Sequence, residues 1–207
     1  MIRHAADRRR GKAASPTRPD PGYAAKLKAC GIAFLDAPTE IFPITLNYLK
    51  LDPHALNEES LKQARDLLLT VRPNIKYFQS ARWVQDLANG DICVAVGYSG
   101  AINMAKELAR SSGTEVKVEM MLPDEGALAS SDDMVIPKGA SNEANAYRFI
   151  DYIRRPDVIA KISNNVGYPN AIGASAPLID KEKLTNETLF IPENKRGKLF
   201  FPIISEN

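Results

Sequence analysis

The side chains that could do chemistry in this chain do not assemble into a catalytic set. Only two histidines occur, His4 near the start and His54 in a polar turn, which leaves no natural histidine base. Gly97-Tyr98-Ser99-Gly100-Ala101 approaches a nucleophile elbow, yet Ala101 stands where that motif needs glycine and no later histidine completes a triad. Neither G-x-G-x-x-G nor G-x-x-x-x-G-K-[ST] is present, so nucleotide binding has no motif behind it. Asp132 and Asp133 are adjacent carboxylates whose side chains point to opposite faces of an extended segment, a poor arrangement for a hard cation. Cys30 and Cys93 lack a C-x-x-C partner and a neighbouring histidine, so zinc and thiol-redox centres are not expected. Two readings of these cysteines stay open at this point: buried thiols, or one disulfide.

What remains is a set of polar and aromatic residues just beyond predicted strands, where ligands of α/β sheets gather. Glu40 follows a strand ending at Asp36, Ser80 follows Ile75 to Phe78, and Tyr98 follows a strand over 92–96. Each alone fits a cap, a turn residue or a half-buried aromatic. Their shared placement makes the case for a binding site.

The elements that must position them alternate between helix-like and strand-like patterns. A short helix over 23–29 leads through Gly31 into the apolar run 32–35. Thr39 is placed to cap a helix reaching about Lys50, in which Pro43 falls where first-turn amides lack partners. Leu61, Ala64, Leu68 and Val71 share one face of a helix over 57–71, which Arg72-Pro73 stops. A strand over 75–78 and a short helix over 81–88 follow, with Asn89-Gly90 suited to a left-handed C-terminal cap. The run 92–96 is apolar on both faces, as in a central strand covered on each side. Ile102, Ala105, Leu108 and Ala109 recur at helical spacing; 116–122 alternates like a half-buried strand, and 134–136 reads as another strand. Helices are predicted over 143–154 and from Pro156 to about 163, before a loop-rich final stretch with little helix. The fold class implied is α/β.

Bulk properties are those of an ordinary globular protein. The 207 residues are 44% hydrophobic, and the formal net charge of +2 is spread along the chain, so no field points to nucleic acid or an anionic membrane. The exception is 1–19, where Arg3, Arg8, Arg9, Arg10, Lys12 and Arg18 face a single Asp7. Too few apolar groups occur there to offset ordering entropy, and the stretch is expected to be a disordered basic tail. Its arginines are not followed by an apolar h-region, so the chain as given is expected to be soluble and without an export signal. No cofactor and no metal are expected.

Several longer stretches carry a resemblance. Phe34-Leu35-Asp36-Ala37-Pro38-Thr39-Glu40, Arg72-Pro73-Asn74-Ile75-Lys76-Tyr77-Phe78, Asp86-Leu87-Ala88-Asn89-Gly90-Asp91-Ile92-Cys93-Val94-Ala95 and Arg155-Pro156-Asp157-Val158 look like signatures of the bacterial periplasmic putrescine/spermidine-binding proteins of ABC importers. The resemblance runs from about residue 20 to about residue 201. It implies a periplasmic-binding-protein type II-like fold in which two α/β lobes, joined by crossover strands, close on a polyamine and deliver it to membrane permease subunits. It also implies a monomer, a periplasmic location and no enzymatic activity. Only the later part of that plan is represented: 20–122 as part of the second lobe, 123–185 as the return into the first, and 186–207 as a truncated crossover back. The opening lobe with its aromatic and acidic ligand residues is not matched.

Carried over residue by residue, the resemblance makes Glu40 an acidic ligand contact and Ser80 a polar one. Tyr98 takes the place of an aromatic, usually tryptophan; Asp132 aligns with a carboxylate that receives an ammonium, and Tyr168 with a pocket aromatic. Carboxylates at the ends of a flexible dication, with ring faces adding cation–π attraction, make a coherent site. Cys30 and Cys93 match a family pair that is disulfide-linked. Two positions depart from the pattern: Ala101 stands in place of a common aspartate, and Ser130 in place of an aromatic. Losing one carboxylate and one ring is expected to weaken recognition of the second ammonium. Two other readings compete: an effector-sensing domain of a transcription regulator, which lacks a helix-turn-helix before residue 20, and a truncated fragment without function.

Overall fold

The computed structural model describes residues 21–55 and 57–201. The basic stretch 1–19 and the end of the expected crossover, 202–207, lie outside them. The described chain divides into two compact units, one of residues 21–129 and 198–201 and the other of Ser130–Gly197. The divisions fall after Ala129 and after Gly197.

The first unit opens with helix α1 (Pro21–Cys30). Gly31, at φ +87°, turns the chain into strand β1 (Ile32–Phe34), whose three residues are all buried. Helix α2 (Pro38–Tyr48) begins with proline at its first position, where the missing amide costs nothing. Its N-cap is Ala37, without a side-chain cap, so Thr39 does not cap the helix as expected but lies inside its first turn. Asn57 caps α3 (Glu58–Val71) by accepting a hydrogen bond from the Ser60 amide at 2.9 Å. A 3-10 turn, Arg72–Asn74, leads into β2 (Ile75–Phe78). Helix α4 (Trp83–Asn89) ends on Gly90 in the left-handed conformation at φ +81°, then β3 (Val94–Ala95) leads to α5 (Ser99–Ser111).

The three strands form a parallel sheet in the order β2-β1-β3. The expectation that 92–96 forms the central strand is therefore corrected: β1 is central and β3 pairs with β1 alone among the described residues. The apolar character of both faces of β3 comes from its cover, since Val94 packs in one core with Leu87 and Ala88 of α4 and Ala105 and Ala109 of α5. Ile32, Ile75, Trp83, Ile92 and Val118 belong to the same core, with Ala33, Phe34, Leu35 and Ile41.

Two further expected strands do not form among the described residues. Over 116–122 the alternation is real, with Val118 4% exposed while Lys117 and Glu119 face outward, but the segment packs on the core without a ladder partner. At 134–136 the chain has no regular secondary structure, with Met134 52% and Val135 81% exposed. A strand is defined by its neighbour, which local pattern cannot supply. Conversely, a short parallel pair, β4 (Ala127–Leu128) and β5 (Leu199–Phe200), joins segments 72 positions apart in register. Gly126 before it sits at φ +110°, and a Cβ there would lie 2.1 Å from the Lys198 carbonyl oxygen, so only glycine fits.

The second unit is helical, with α6 (Glu143–Ile153), α7 (Pro156–Val166), a 3-10 segment Gly173–Leu178, and single turns α8 (Lys181–Leu184) and α9 (Glu193–Arg196). Proline starts α7 and Gly167, at φ +77°, ends it. Its buried hydrophobic residues are Ala160, Ile179 and Leu189. Much of the order is polar: Asn170 donates to Ser163 Oγ at 2.9 Å and accepts from Ser175 Oγ at 3.0 Å and the Ile172 amide at 2.8 Å. Helix α6 has no buried residue, and Tyr147, Phe149 and Tyr152 are more than half exposed. No described helix is long and apolar enough to cross a membrane.

In the first unit Cys30 and Cys93 are joined in a disulfide, with Cα atoms 5.6 Å apart across a sequence separation of 63. It ties the end of α1 to the approach to β3, beside the hydrogen bond from the Cys93 amide to the Gly31 carbonyl. Restricting an unfolded loop of this length contributes about 4 kcal/mol in the chain-entropy model. Replacing both cysteines with alanine should lower unfolding free energy by that order in urea titrations, with the far-ultraviolet circular dichroism of the native state unchanged.

Candidate functional site

The parallel pairing brings the carboxyl ends of β1, β2 and β3 together, and the candidate residues of the first unit sit on the three segments that leave them. The Gln79 amide donates to the Phe34 carbonyl at 2.9 Å and the Val96 amide to the Ala33 carbonyl at 3.0 Å, so the exits of β2 and β3 are each fastened to β1. Glu40 lies in the first turn of α2, Ser80 between β2 and α4, and Tyr98 at the N-cap of α5.

Two of these residues are bonded to each other. The Tyr98 hydroxyl donates to Glu40 Oε1 at 2.8 Å, across 58 residues of sequence. Ser80 Oγ accepts the backbone N–H of Asp36 at 3.2 Å, tying the exit of β1 to the loop after β2. Tyr98 is 37% exposed and Glu40 half-buried, so a carboxylate and an aromatic ring stand together at the surface of the sheet edge. The N-terminus of α2 is electrostatically suited to carry that carboxylate. Such a pair can receive a positively charged group: the carboxylate accepts its hydrogen bonds and the ring face adds cation–π attraction.

Asp132 and Tyr168 belong to the second unit. Asp132 is exposed in the extended segment that opens the unit, and Tyr168, 38% exposed, follows the left-handed Gly167 at the end of α7. The first unit thus joins Glu40 to Tyr98, while Ser80 is bonded to Asp36 where β1 leaves the sheet. Ala101 occupies the first turn of α5, three residues after Tyr98, and packs partly against the core. Among the described residues, no group of three or more His, Cys, Asp or Glu side chains is placed to hold a metal ion.

Sequence reasoning did not single out the groups that support the site. Asp86 is 5% exposed, and its Oδ2 accepts the Tyr77 hydroxyl at 2.6 Å while Arg82 Nε lies 3.1 Å from the same oxygen. The phenol's hydrogen bond is the main force holding the Asp86 carboxyl below its ordinary value; burial opposes it and Arg82 adds to it. Burial first, and then the Asp86 carboxylate, push the Tyr77 hydroxyl well above its ordinary value. Asp86 also accepts the Asp91 amide through its carbonyl at 2.8 Å, so it anchors α4 to β2 and to the turn before β3. In the sequence it sits within a stretch that carried the family resemblance, and the signal for its role was a carboxylate on the apolar face shared with Trp83 and Leu87.

A three-stranded parallel sheet with helices between its strands and polar residues at its carboxyl edge defines an α/β fold with a ligand-site edge. The chain belongs to the family of bacterial extracellular solute-binding proteins, whose family model matches residues 6–190. That match begins inside the stretch set aside as a basic tail. The chain is 46% identical over 176 residues to the putrescine-binding periplasmic protein PotF of Escherichia coli, covering 84% of this chain and 48% of the relative. It is 41% identical over 178 residues to the putrescine-binding periplasmic protein SpuD of Pseudomonas aeruginosa, covering 86% and 48%. A solved Listeria monocytogenes chain assigned to spermidine/putrescine ABC transport superposes with a TM-score of 0.74 at 28% identity, covering 86% of this chain and 52% of that one. The chain therefore spans about half the length of the curated relatives it matches.

The Asp86 network sets an acid limit on the order of this edge. A carboxyl whose folded value lies below the unfolded one stabilises fully above the unfolded value, about 3.9, and loses that contribution as pH falls through the folded value. Tyr77→Phe removes the largest cause of the depression. The variant should lose about 1–2 kcal/mol at neutral pH, and the gap to the parent should narrow when urea unfolding is repeated below about pH 4. An unchanged gap would remove Asp86 from this role.

Proposed function

We propose that this chain is the solute-binding component, or a part of it, of a bacterial ABC importer for polyamines, and that Glu40 and Tyr98 receive one ammonium of the ligand. The observation that carries this reading is the direct hydrogen bond between the Tyr98 hydroxyl and the Glu40 carboxylate at the exit edge of the sheet. A protonated diamine suits such a pair: it brings a cation with three donors, and a methylene chain that lies against an aromatic face. Membership of a solute-binding family and relatives named for putrescine support the same ligand class.

In this reading Ser80, Asp132 and Tyr168 are further ligand contacts, as the resemblance to the polyamine-binding family implies. The working protein is a monomer in the periplasm, with the permease subunits of the importer as its partners and no catalytic step of its own. Ala101 and Ser130 weaken the hold on the second ammonium relative to a site carrying aspartate and an aromatic there.

Isothermal titration tests this with the chain alone and with the chain completed by the segment of the Escherichia coli relative that it does not span. Putrescine or spermidine should bind the completed protein saturably while glutamate gives no heat, and Glu40→Gln should weaken amine binding roughly tenfold or more, as expected for a lost charge-assisted contact. Ala101→Asp combined with Ser130→Phe should tighten it. Equal heats for amines and glutamate would overturn the ligand class, and unchanged affinity in the double variant would remove Ala101 and Ser130 as determinants.

A further inference from the structure

The Ser80 and Tyr98 segments leave different strands, yet one buried side chain touches both. Trp83, the single tryptophan of the chain, is fully buried in the first turn of α4. Its indole Nε1 donates to the Ser80 carbonyl at 3.2 Å. The other end of the same ring lies under Gly97: a Cβ built on that glycine would fall 2.4 Å from Cζ2 and 2.5 Å from Cη2 of Trp83. Gly97 immediately precedes Tyr98, so the absence of a side chain there is what lets the indole reach the backbone that carries the site's aromatic.

The neighbouring contacts make the contact rigid at both ends. Gln79 Oε1 accepts the Ala81 amide at 2.7 Å, which closes the turn bearing Ser80. On the other side the Ile102 amide donates to the Tyr98 carbonyl at 2.9 Å, fixing Tyr98 at the start of α5. A planar, fully buried ring held between two such segments transmits displacement, because packed interiors have little room to absorb it. We propose that Trp83 is a positioning residue that couples the Ser80 and Tyr98 segments, setting the register in which Tyr98 meets Glu40. In this assignment the indole acts through the backbone of Gly97. The consequence for affinity rests on the polyamine reading above, whereas the coupling itself does not.

The test uses amide resonances of the full chain by two-dimensional nuclear magnetic resonance, with no ligand present. Gly97→Ala should shift the amides of Gln79, Ser80 and Ala81, on the far side of the indole, as well as that of Tyr98. Adding Trp83→Phe, which vacates the space the new methyl needs, should return the Tyr98 amide toward its parental position. Should Gly97→Ala fail to fold, Trp83→Phe alone suffices, because it must move the Tyr98 amide through Gly97. Shifts confined to one segment in either variant would overturn the coupling. In the protein completed as above, Trp83→Phe should weaken putrescine affinity roughly three- to tenfold, and the conservative Trp83→Tyr should recover part of it. If the two segments shift together while no amine binds the parent protein, the polyamine reading fails and the coupling stands. If putrescine binds the parent and Trp83→Phe binds it equally well, Trp83 does not position the site.

Discussion

Three strands that run in one direction must all end at one edge, and the site follows from that constraint. β1 is the element on which it depends, because it pairs with both neighbours and is buried along its whole length. Its carbonyls at Ala33 and Phe34 accept the amides with which the other two strands leave the sheet. Glu40, Ser80 and Tyr98 are far apart in sequence but sit on the three segments that start from this line. Parallel strands need long crossovers, and α2, α3 and α4 supply them while burying the sheet. The edge is thus where backbone groups, helix N-termini and exposed side chains meet, as ligand sites of open α/β sheets generally do.

Beneath the edge the chain uses polar burial to fix position. The Tyr77 hydroxyl, Arg82 and the Asp86 carboxylate satisfy one another, so a nearly inaccessible charge is tolerated within an otherwise apolar core. Removing one member strands the others, which makes such a network specific in geometry more than generous in energy. The indole of Trp83 fills the remaining space between α4 and the exit of β3, with its one N–H satisfied by the Ser80 carbonyl. Apolar packing and polar satisfaction therefore converge on the same short stretch of backbone.

Local signals were legible in the sequence wherever the physics is local. The stop of α3 before Arg72-Pro73, Gly90 as a left-handed C-cap and Pro156 at a helix start each stand where short-range rules put them. Glu40, Ser80 and Tyr98 could be placed just after strands from periodicity alone. Their mutual contacts could not, because the bond from Tyr98 to Glu40 depends on strand order, which no single segment encodes. The same cause explains why 92–96 read as a central strand and why 116–122 and 134–136 read as strands at all. Trp83 was passed over since a tryptophan on an apolar helix face looks like core, and only the spatial approach of Gly97 reveals its second contact. The second unit, with three buried hydrophobic residues and a helix that buries none, kept its helices legible but not the packing that surrounds them.

The central claim is that the Glu40 carboxylate, presented beside the Tyr98 ring, is where one end of a protonated amine is held. A crystal structure of the completed protein grown with putrescine tests it most directly. An amine nitrogen is expected within hydrogen-bonding distance of Glu40, about 3 Å, and near the Tyr98 ring, within about 6 Å of its centroid. An amine bound elsewhere, with Glu40 holding only the Tyr98 hydroxyl, would contradict it.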